Sequence, residues 1–234
     1  MSDDHFLNIY AHQAEAYDRL VGREDQRGLL FAALMELCRL DGTTVVEFGA
    51  GTGRLTRLLS LMARRVYAFD FAFPMLAQAQ QQLTLSGLSH WRLAQADNRA
   101  MPLPAGCADV VIEGWSFGHA VGWSLGDWRV QVGLMLDEMR RLLKPHGTAI
   151  LIETLGTGQK QPSPPTEGLA QLYRWWQEEH GFQHRWVRTD YQFESVDEAE
   201  ALLGFFFGPE LAARVRREQL TILPECTGIW WRTY

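Results

Sequence analysis

Residues 45–55 of this 234-residue chain read Val45-Val46-Glu47-Phe48-Gly49-Ala50-Gly51-Thr52-Gly53-Arg54-Leu55. The stretch predicts an apolar strand that ends in an acid, then a turn with three alternating glycines, then a helix. Glycine lets the chain turn sharply and lets a ligand approach the backbone, while the first turn of a helix offers unpaired N–H groups. The stretch therefore predicts a ligand-binding edge at the carboxyl end of a strand.

The spacing of the glycines distinguishes this turn from the dinucleotide fingerprint Gly-x-Gly-x-x-Gly. Arg54 stands where that fingerprint requires its last glycine, so a nicotinamide oxidoreductase is disfavoured. Glu47 lies two residues ahead of the first glycine, and the turn contains no lysine for phosphates. A carboxylate at this place would repel a pyrophosphate but would suit a ligand with an ammonium or sulfonium centre.

Acids also follow the next two predicted strands. Residues 65–70 predict a second strand that ends in Asp70, and residues 89–96 predict a third strand followed by Asp97. In an open parallel sheet, ligands bind outside the carboxyl ends of the strands, so we expect Glu47, Asp70 and Asp97 to line one crevice. An acid after the second strand can accept hydrogen bonds from ribose hydroxyls, and one after the third from the exocyclic amine of an adenine.

Helical and strand patterns alternate along the first two thirds of the chain. Strands separated by helices of this length predict an α/β fold with a parallel sheet and right-handed crossovers. Beyond residue 155 the pattern changes. We expect a proline-rich loop over 156–166, helices over 169–179, 195–206 and 209–220, and strands over 186–193 and 228–234.

Taken together, these segments resemble the class I S-adenosylmethionine-dependent methyltransferases. The segments that carry the resemblance are 47–55, 66–76 and 94–104 for its first three motifs, 107–115 for the fourth strand and 142–147 for the turn into the fifth. The nearest subgroup is the small-molecule enzymes related to quinone biosynthesis, with a methyltransferase type 11 domain. The resemblance implies a Rossmann-like doubly wound sheet of seven strands in the order 3-2-1-4-5-7-6, with strand 7 antiparallel.

The resemblance also implies S-adenosylmethionine as the cofactor. Tyr17 lies in an N-terminal segment similar to the lead-in of quinone-type enzymes, which places it near the methionine end of the cofactor. The residues expected to bind the cofactor are Tyr17, Glu47, Phe48, Gly49, Ala50, Gly51, Gly53, Asp70, Phe71, Met75, Ala96, Asp97, Asn98, Glu113, Gly114 and Trp115.

The segment after the fourth strand is expected to meet the methyl acceptor. His119 is the candidate general base because a histidine titrates near neutrality, although a packing role stays open. Glu113 is the second candidate catalytic residue. The alternative interpretation is that Glu113 only forms a boundary of the pocket. Eight of the nine tryptophans occur from Trp115 onward, and aromatic walls suit a flat or apolar acceptor. The expected substrate pocket contains Tyr10, Trp115, His119 and Trp123.

Composition is typical of one enzyme-sized domain. We expect it to contain an N-terminal helical cap (1–40), a cofactor-binding core (41–155) and an acceptor-side lid with C-terminal strands (156–234). Three cysteines without metal-ligand spacing predict a reducing compartment and no metal. The 22 basic against 28 acidic residues disfavour a nucleic-acid partner. The sequence shows neither a basic leader followed by an apolar stretch nor an apolar run long enough to span a membrane, which predicts a cytoplasmic protein without a membrane partner. We expect a monomer or a homodimer.

The leading hypothesis is methyl transfer from S-adenosylmethionine to a small organic acceptor through an O, N or C nucleophile. The alternative is a regulator or inactive partner subunit that binds S-adenosylmethionine without transferring its methyl group. The acceptor, the methylated atom and the pathway stay open, because the residues that would choose the acceptor lie outside the segments that carry the resemblance.

Overall fold

The computed structural model describes residues 3–123 and 126–234. Its strands are β1 Thr44–Phe48, β2 Arg65–Asp70, β3 Trp91–Gln95, β4 Ala108–Gly114, β5 Leu143–Thr157, β6 Gln183–Arg188, β7 Tyr191–Gln192, β8 Ile222–Leu223 and β9 Glu225–Thr233. Its helices are α1 Asp3–His12, α2 Ala14–Val21, α3 Leu29–Leu37, α4 Arg54–Leu59, α5 Phe73–Leu85, α6 His119–Trp123, α7 Trp128–Leu142, α8 Glu167–Glu178, α9 Val196–Phe207 and α10 Pro209–Glu218.

Within the described ranges, seven strands form one sheet in the order β3-β2-β1-β4-β5-β9-β6. The strands from β3 to β5 are parallel, and β9 runs antiparallel to both of its neighbours. The predicted doubly wound sheet with an antiparallel seventh strand is confirmed. That strand is ninth along the chain because β7 and β8, which form a small separate sheet, precede it.

The core lies on both faces of the sheet, which explains why its central strands read as apolar runs instead of alternating. All five residues of β1 are buried. Phe48 belongs to the cluster on one face, with Trp176 and Trp230, and Val45 belongs to the cluster on the other face, with Ile150. A third cluster joins α9, α10 and the small sheet. This third cluster builds the C-terminal wall of the site described below.

The predicted and observed strand bounds differ most at β6 and at β5. The strand predicted over 186–193 is divided, because the chain turns at Thr189 and Asp190 between β6 and β7. Asp190 stabilises this turn by accepting hydrogen bonds from Arg188 at 2.8 Å and from the backbone N–H of Glu225 at 3.0 Å. Strand β5 begins at Leu143, inside the segment 142–147 that was expected to form the turn into the fifth strand, and pairs there with Ala108. The division into cap, core and lid stays a prediction.

In residues 3–123 and 126–234, every helix is too short or too polar to cross a bilayer.

Candidate active site

A cavity of about 750 Å³ lies at the carboxyl ends of β1, β4 and β5. The glycine turn after β1 forms its floor, and the proline-rich loop forms one wall. Side chains of α1, α2 and α9 close the cavity from above, with Phe6, Tyr17 and Phe206 among them. The strand order reverses between β1 and β4, so the cavity occupies the topological switch point at which open α/β sheets bind ligands.

The glycine turn has the backbone conformation that requires glycine. Gly49, Gly51 and Gly53 have φ values of 65°, 53° and 84°, in the left-handed region. Gly49 is also required by packing, because a Cβ at this position would lie 2.4 Å from the Cβ of Ser116. The close packing of Ser116, which follows β4, is therefore a second reason for glycine at position 49.

The first two of the three predicted acids hold the turn in place. Glu47 is buried and accepts a hydrogen bond from the Thr56 hydroxyl at 2.6 Å, and burial raises the pKa of its carboxyl to about 8. Asp70 accepts hydrogen bonds from the backbone N–H groups of Gly51 and Ala72, both at 2.8 Å. Burial also raises the pKa of Asp70. Glu47 lines the cavity, whereas Asp70 lies on the β2 side of the turn, outside the cavity.

Asp97 follows β3 at the same edge of the sheet, but it is exposed and already paired. Its carboxylate accepts hydrogen bonds from the backbone N–H of Arg99 at 2.9 Å and from the Arg99 side chain. These hydrogen bonds lower the pKa of Asp97. The three acids thus lie at the ends of three adjacent strands, as predicted, but of the three only Glu47 lines this cavity, contrary to the expectation that all three line one crevice.

The structure brings together about half of the predicted site residues around the cavity. Those that line it are Tyr10, Tyr17, Glu47, Gly49, Ala50, Gly51, Gly114, Trp115 and His119. Those that do not are Phe48, Gly53, Asp70, Phe71, Met75, Ala96, Asp97, Asn98, Glu113 and Trp123. Phe48 is the plainest correction among the cofactor residues, because its side chain is fully buried in the core against Phe117. Phe71, by contrast, is exposed beside Asp70.

Glu113 requires a correction as a catalytic candidate. Its side chain is fully buried and accepts hydrogen bonds from the backbone N–H groups of Ser116, Phe117 and Ile152 at 3.2–3.4 Å. Burial raises its pKa well above the ordinary value, and the neighbouring Glu153 adds to that shift. Glu113 holds the turn after β4 and has no contact with the cavity.

His119 lines the cavity, but its environment differs from the one expected. Its Nε2 atom lies 2.8 Å from the Tyr10 hydroxyl, and Trp123 stacks on its ring at a centroid distance of 4.8 Å. Burial lowers the pKa of His119 to about 4, so the imidazole is neutral near pH 7 instead of titrating there. Trp123 covers the outer side of His119 and is exposed, which corrects its assignment to the pocket wall.

Sequence reasoning missed Glu153, which lines the cavity from β5. It is 4% exposed, and its Oε1 atom accepts the backbone N–H of Gly118 at 2.7 Å. A signal for it was present, because Leu151-Ile152-Glu153 repeats the pattern of an acid closing an apolar run that identified Glu47.

Arg54 is a second missed residue, although the sequence showed that it replaces a glycine. Its guanidinium forms an ion pair with Glu24 at 2.6 Å and lies 4.5 Å from the centroid of the Trp115 ring. Tyr191 and Glu225 complete this wall of the cavity. Glu225 accepts the Thr154 hydroxyl at 2.8 Å, and burial raises its pKa to about 8. No local pattern marks Glu24, Tyr191 or Glu225, because they come from segments far apart in the chain.

The fold and this site define a Rossmann-like methyltransferase architecture, and a crystal structure of an S-adenosylmethionine-dependent methyltransferase from Aquifex aeolicus shares it. The two have a TM-score of 0.55 and 18% identity, with 88% of this chain and 93% of that chain covered.

Residues 46–151 match the family model described as a methyltransferase domain. The chain is 27% identical to an uncharacterized methyltransferase of Geobacillus kaustophilus, over 64% of this chain and 66% of that protein. It is 26% identical to a malonyl-acyl-carrier-protein O-methyltransferase of Yersinia pestis, over 75% of this chain and 56% of that protein. The chain therefore spans about half to two thirds of these relatives.

Residues 46–151 therefore form a methyltransferase domain, and the strand order of the chain is that of the Rossmann-like methyltransferase fold. The likeness to quinone-biosynthesis enzymes stays a prediction. The family implies S-adenosylmethionine as the cofactor, and two features of this site fit the chemical groups of that molecule. A bare left-handed turn lies beside the buried carboxyl of Glu47, whose raised pKa would fall again beside a cationic sulfur because an opposite charge favours the ionised form. Asp70 binds the turn from the β2 side, and the remaining acceptor capacity of its carboxylate would suit ribose hydroxyls at this edge of the sheet.

Proposed function

We propose that this protein transfers a methyl group from S-adenosylmethionine to a small organic acceptor. The observation that carries the proposal is the extent of the cavity, which continues from the glycine turn to the segment around His119 and the proline-rich loop. Its volume of about 750 Å³ lies within the range of roughly 300–1,000 Å³ for ligand sites and extends beyond the cofactor edge. A second molecule therefore has room beside the predicted cofactor site.

S-adenosylmethionine, when bound, supplies a methyl group on a cationic sulfur. The chain's own contribution is to orient the acceptor and to exclude water, and orientation can supply much of the reduction in the barrier. The aromatic side chains of Phe6, Tyr10, Tyr17 and Phe206 close the cavity above the glycine turn. Burial raises the pKa values of Tyr10 and Tyr17, so both phenols stay neutral and pack as rings.

The acceptor is proposed to be a small or medium-sized molecule with a flat or apolar part, because the lining combines aromatic rings with a few polar groups. The Yersinia relative is an O-methyltransferase by name, which supports an oxygen nucleophile as one option. We further propose a cytoplasmic monomer or homodimer that acts without a nucleic-acid or membrane partner. The excess of acidic residues in the chain supports the exclusion of nucleic acid.

The test has two stages. Calorimetry with S-adenosylmethionine, S-adenosylhomocysteine and NADH measures binding, and a labelled-methyl screen over small acceptors measures transfer. Asp70→Asn should weaken S-adenosylhomocysteine binding by at least about tenfold, because it removes a charged hydrogen-bond acceptor at the ribose position. Asp41→Asn, at an exposed acid just ahead of β1, is the matched control and should leave binding unchanged.

Each outcome of that test favours one hypothesis. Binding together with a labelled acceptor supports the transferase. Binding without any labelled acceptor favours the regulator or inactive partner subunit. A protein that binds NADH and ignores S-adenosylhomocysteine would overturn both and restore the oxidoreductase.

A further inference from the structure

Glu153 occupies the part of the cavity where an acceptor would meet the segment after β4. Its carboxyl packs against Gly118, and a Cβ at Gly118 would lie 2.9–3.0 Å from Oε1, Cδ and Oε2 of Glu153. The following residue, His119, lines the same cavity. Glycine at position 118 is therefore what allows a carboxyl to reach this point.

The carboxyl of Glu153 is held by backbone groups and stays open to a ligand. Its Oε1 atom accepts the N–H of Gly118, and none of the described side chains donates a hydrogen bond to either of its oxygens. Glu225 differs, because its Oε1 atom accepts from a threonine hydroxyl and its Oε2 atom is sealed inside the protein. Glu153 thus combines a fixed position with a free hydrogen-bonding capacity that faces the cavity.

The other candidate proton acceptors of the cavity are engaged or remote. His119 is hydrogen-bonded to Tyr10 through Nε2 and is a weak base, because burial lowers its pKa to about 4. Glu47 accepts the Thr56 hydroxyl at the cofactor end of the cavity, and Glu24 is paired with Arg54. Glu113 does not reach the cavity.

The charges of the lining also restrict the acceptor. The described lining residues include four carboxyls, from Glu24, Glu47, Glu153 and Glu225, and one guanidinium, from Arg54. Arg54 is paired with Glu24, and its unpartnered Nη2 atom is sealed inside the protein. A free carboxylate on the acceptor would therefore find no reachable cation and would repel any lining carboxyl that ionises, whereas a neutral or cationic hydrogen-bond donor would be stabilised.

We propose that Glu153 binds the reacting O–H or N–H of a phenol, alcohol or amine acceptor and takes its proton. This inference rests on the proposed methyl transfer. The acceptor's oxygen or nitrogen forms a bond to the methyl carbon, the electron pair of the broken C–S bond stays with the sulfur, and the acceptor's proton passes to the Glu153 carboxylate. The acceptor class is thus one with a hydrogen on its nucleophile, and free carboxylates are not methylated.

Several titratable groups surround Glu153 and will modulate its charge. Glu113 faces it from β4, His119 lies beside it on α6, Tyr10 faces it from α1, and Tyr173 from α8. Burial raises the pKa of Glu153 to about 8, against the opposing effect of the N–H groups of Gly118 and Thr154. The active carboxylate form therefore increases through mildly alkaline pH.

The experiment is a labelled-methyl screen with three sets of probes: phenols and alcohols, primary and secondary amines, and monocarboxylates. Glu153→Gln preserves the shape of the side chain, and Glu153→Asp restores the charge with a shorter reach. Glu138→Gln is the control for replacing a buried glutamate, because Glu138 lies on α7 and contacts Arg141 outside the cavity. Calorimetry with S-adenosylhomocysteine and a thermal melt are measured for every variant.

We expect methyl ethers or methylamines as products. Glu153→Gln should lower kcat by at least about 100-fold, the lower end of the range for general bases, while its affinity for S-adenosylhomocysteine stays within about twofold of wild type. The rise of kcat/KM with pH near 8 should be lost in Glu153→Gln and partly regained in Glu153→Asp.

Methyl esters as the main products would overturn the proposal. So would a Glu153→Gln variant with kcat within threefold of wild type, or a protein that binds S-adenosylmethionine and labels no phenol, alcohol or amine. Failure to bind S-adenosylhomocysteine at all would instead count against the proposed function. If Glu153→Gln melts well below Glu138→Gln, Glu153→Asp gives the kinetic answer in its place: its carboxyl has a shorter reach and should lower kcat, and a wild-type kcat in that variant would count against the proposal.

Discussion

The hydroxyl of Tyr10 and Nε2 of His119 lie 2.8 Å apart, which joins the N-terminal helix to the segment after β4 across 109 residues of sequence. The two rings also meet edge to face, with centroids 5.5 Å apart. This contact closes the cavity between α1 and α6. Access to the acceptor end therefore depends on how firmly α1 is held.

Replacing Tyr10 with phenylalanine should lower the free energy of unfolding by about 1 kcal/mol, because it removes one partly buried hydrogen bond and leaves Nε2 of His119 unpaired. Urea unfolding measures the change. Tyr67→Phe is the matched control, since the Tyr67 hydroxyl contacts only the exposed Arg65 among the described residues, and it should cost less than about 0.5 kcal/mol. Equal losses in the two variants would mean that the Tyr10 contact contributes nothing specific.

Gly49→Ala should destabilise the fold more than Gly106→Ala does. Both glycines have φ of 65°, but a Cβ at Gly106 meets nothing within 4 Å, whereas one at Gly49 meets Ser116 at 2.4 Å. We expect about 1–2 kcal/mol for Gly106→Ala from backbone strain and about 1–3 kcal/mol more for Gly49→Ala from overpacking. Adding Ser116→Gly should recover part of the Gly49→Ala loss. Additive effects of these two substitutions in urea unfolding would contradict the proposed clash.

Arg54→Met should cost about 3–5 kcal/mol, because it leaves the buried carboxylate of Glu24 without its cation. The double variant with Glu24→Gln should lose clearly less than Arg54→Met alone, since no buried charge remains. Arg39→Met is the control, because Arg39 and Asp41 form an ion pair with side chains 81% and 65% exposed. That control should change stability by less than about 1 kcal/mol. A double variant as unstable as Arg54→Met would show that packing of Arg54 on Trp115, not charge, is what matters.

Stability should fall as the pH rises from about 4.5 to about 8. Burial raises the pKa of Glu47 from its ordinary 4.5 to about 8, so in this range the folded protein holds a proton that the unfolded chain has released. The stabilising contribution of that proton is complete below the unfolded pKa and is lost as the pH rises through the folded pKa. Glu153 and Glu225 act in the same direction.

Glu47→Gln isolates the contribution of Glu47 to this pH dependence. The amide oxygen can still accept the Thr56 hydroxyl, so the variant should melt higher than wild type at pH 8 and show a smaller decrease between pH 5 and 8. Melting curves of the two proteins across that range measure the difference. Parallel curves would show that Glu47 is ionised in the folded protein at both pH values.

Local patterns were enough to predict most of the sheet. Short segments of sequence show the alternation of apolar strands with helices, the glycine turn, and the acids at the ends of β1, β2 and β3. Because crossover connections are right-handed, few topologies are then possible. The order of the last strands came from the family resemblance. The separation of β6 from β7 was missed because it depends on Asp190, which binds the backbone of Glu225 from a distant segment.

The sequence predicted the protonation states and roles of the site residues less well than it predicted the sheet. His119 was expected to titrate near neutrality, but its burial beneath Trp123 and Tyr10 makes it a neutral hydrogen-bonding residue. Glu113 and Glu153 are both acids in buried strands, and only packing shows that the first is enclosed by backbone N–H groups while the second faces the cavity.

The order of residues in this chain is sufficient to specify a nucleotide-type binding edge, because strand and helix periodicity and the conformational freedom of glycine are local properties. The three-dimensional packing specifies the opposite side of the cavity, where Glu24, Tyr191 and Glu225 meet from the two ends of the chain. It also sets which acids are protonated. Desolvation depends on everything that surrounds a group, and most of those surroundings are far from it in sequence.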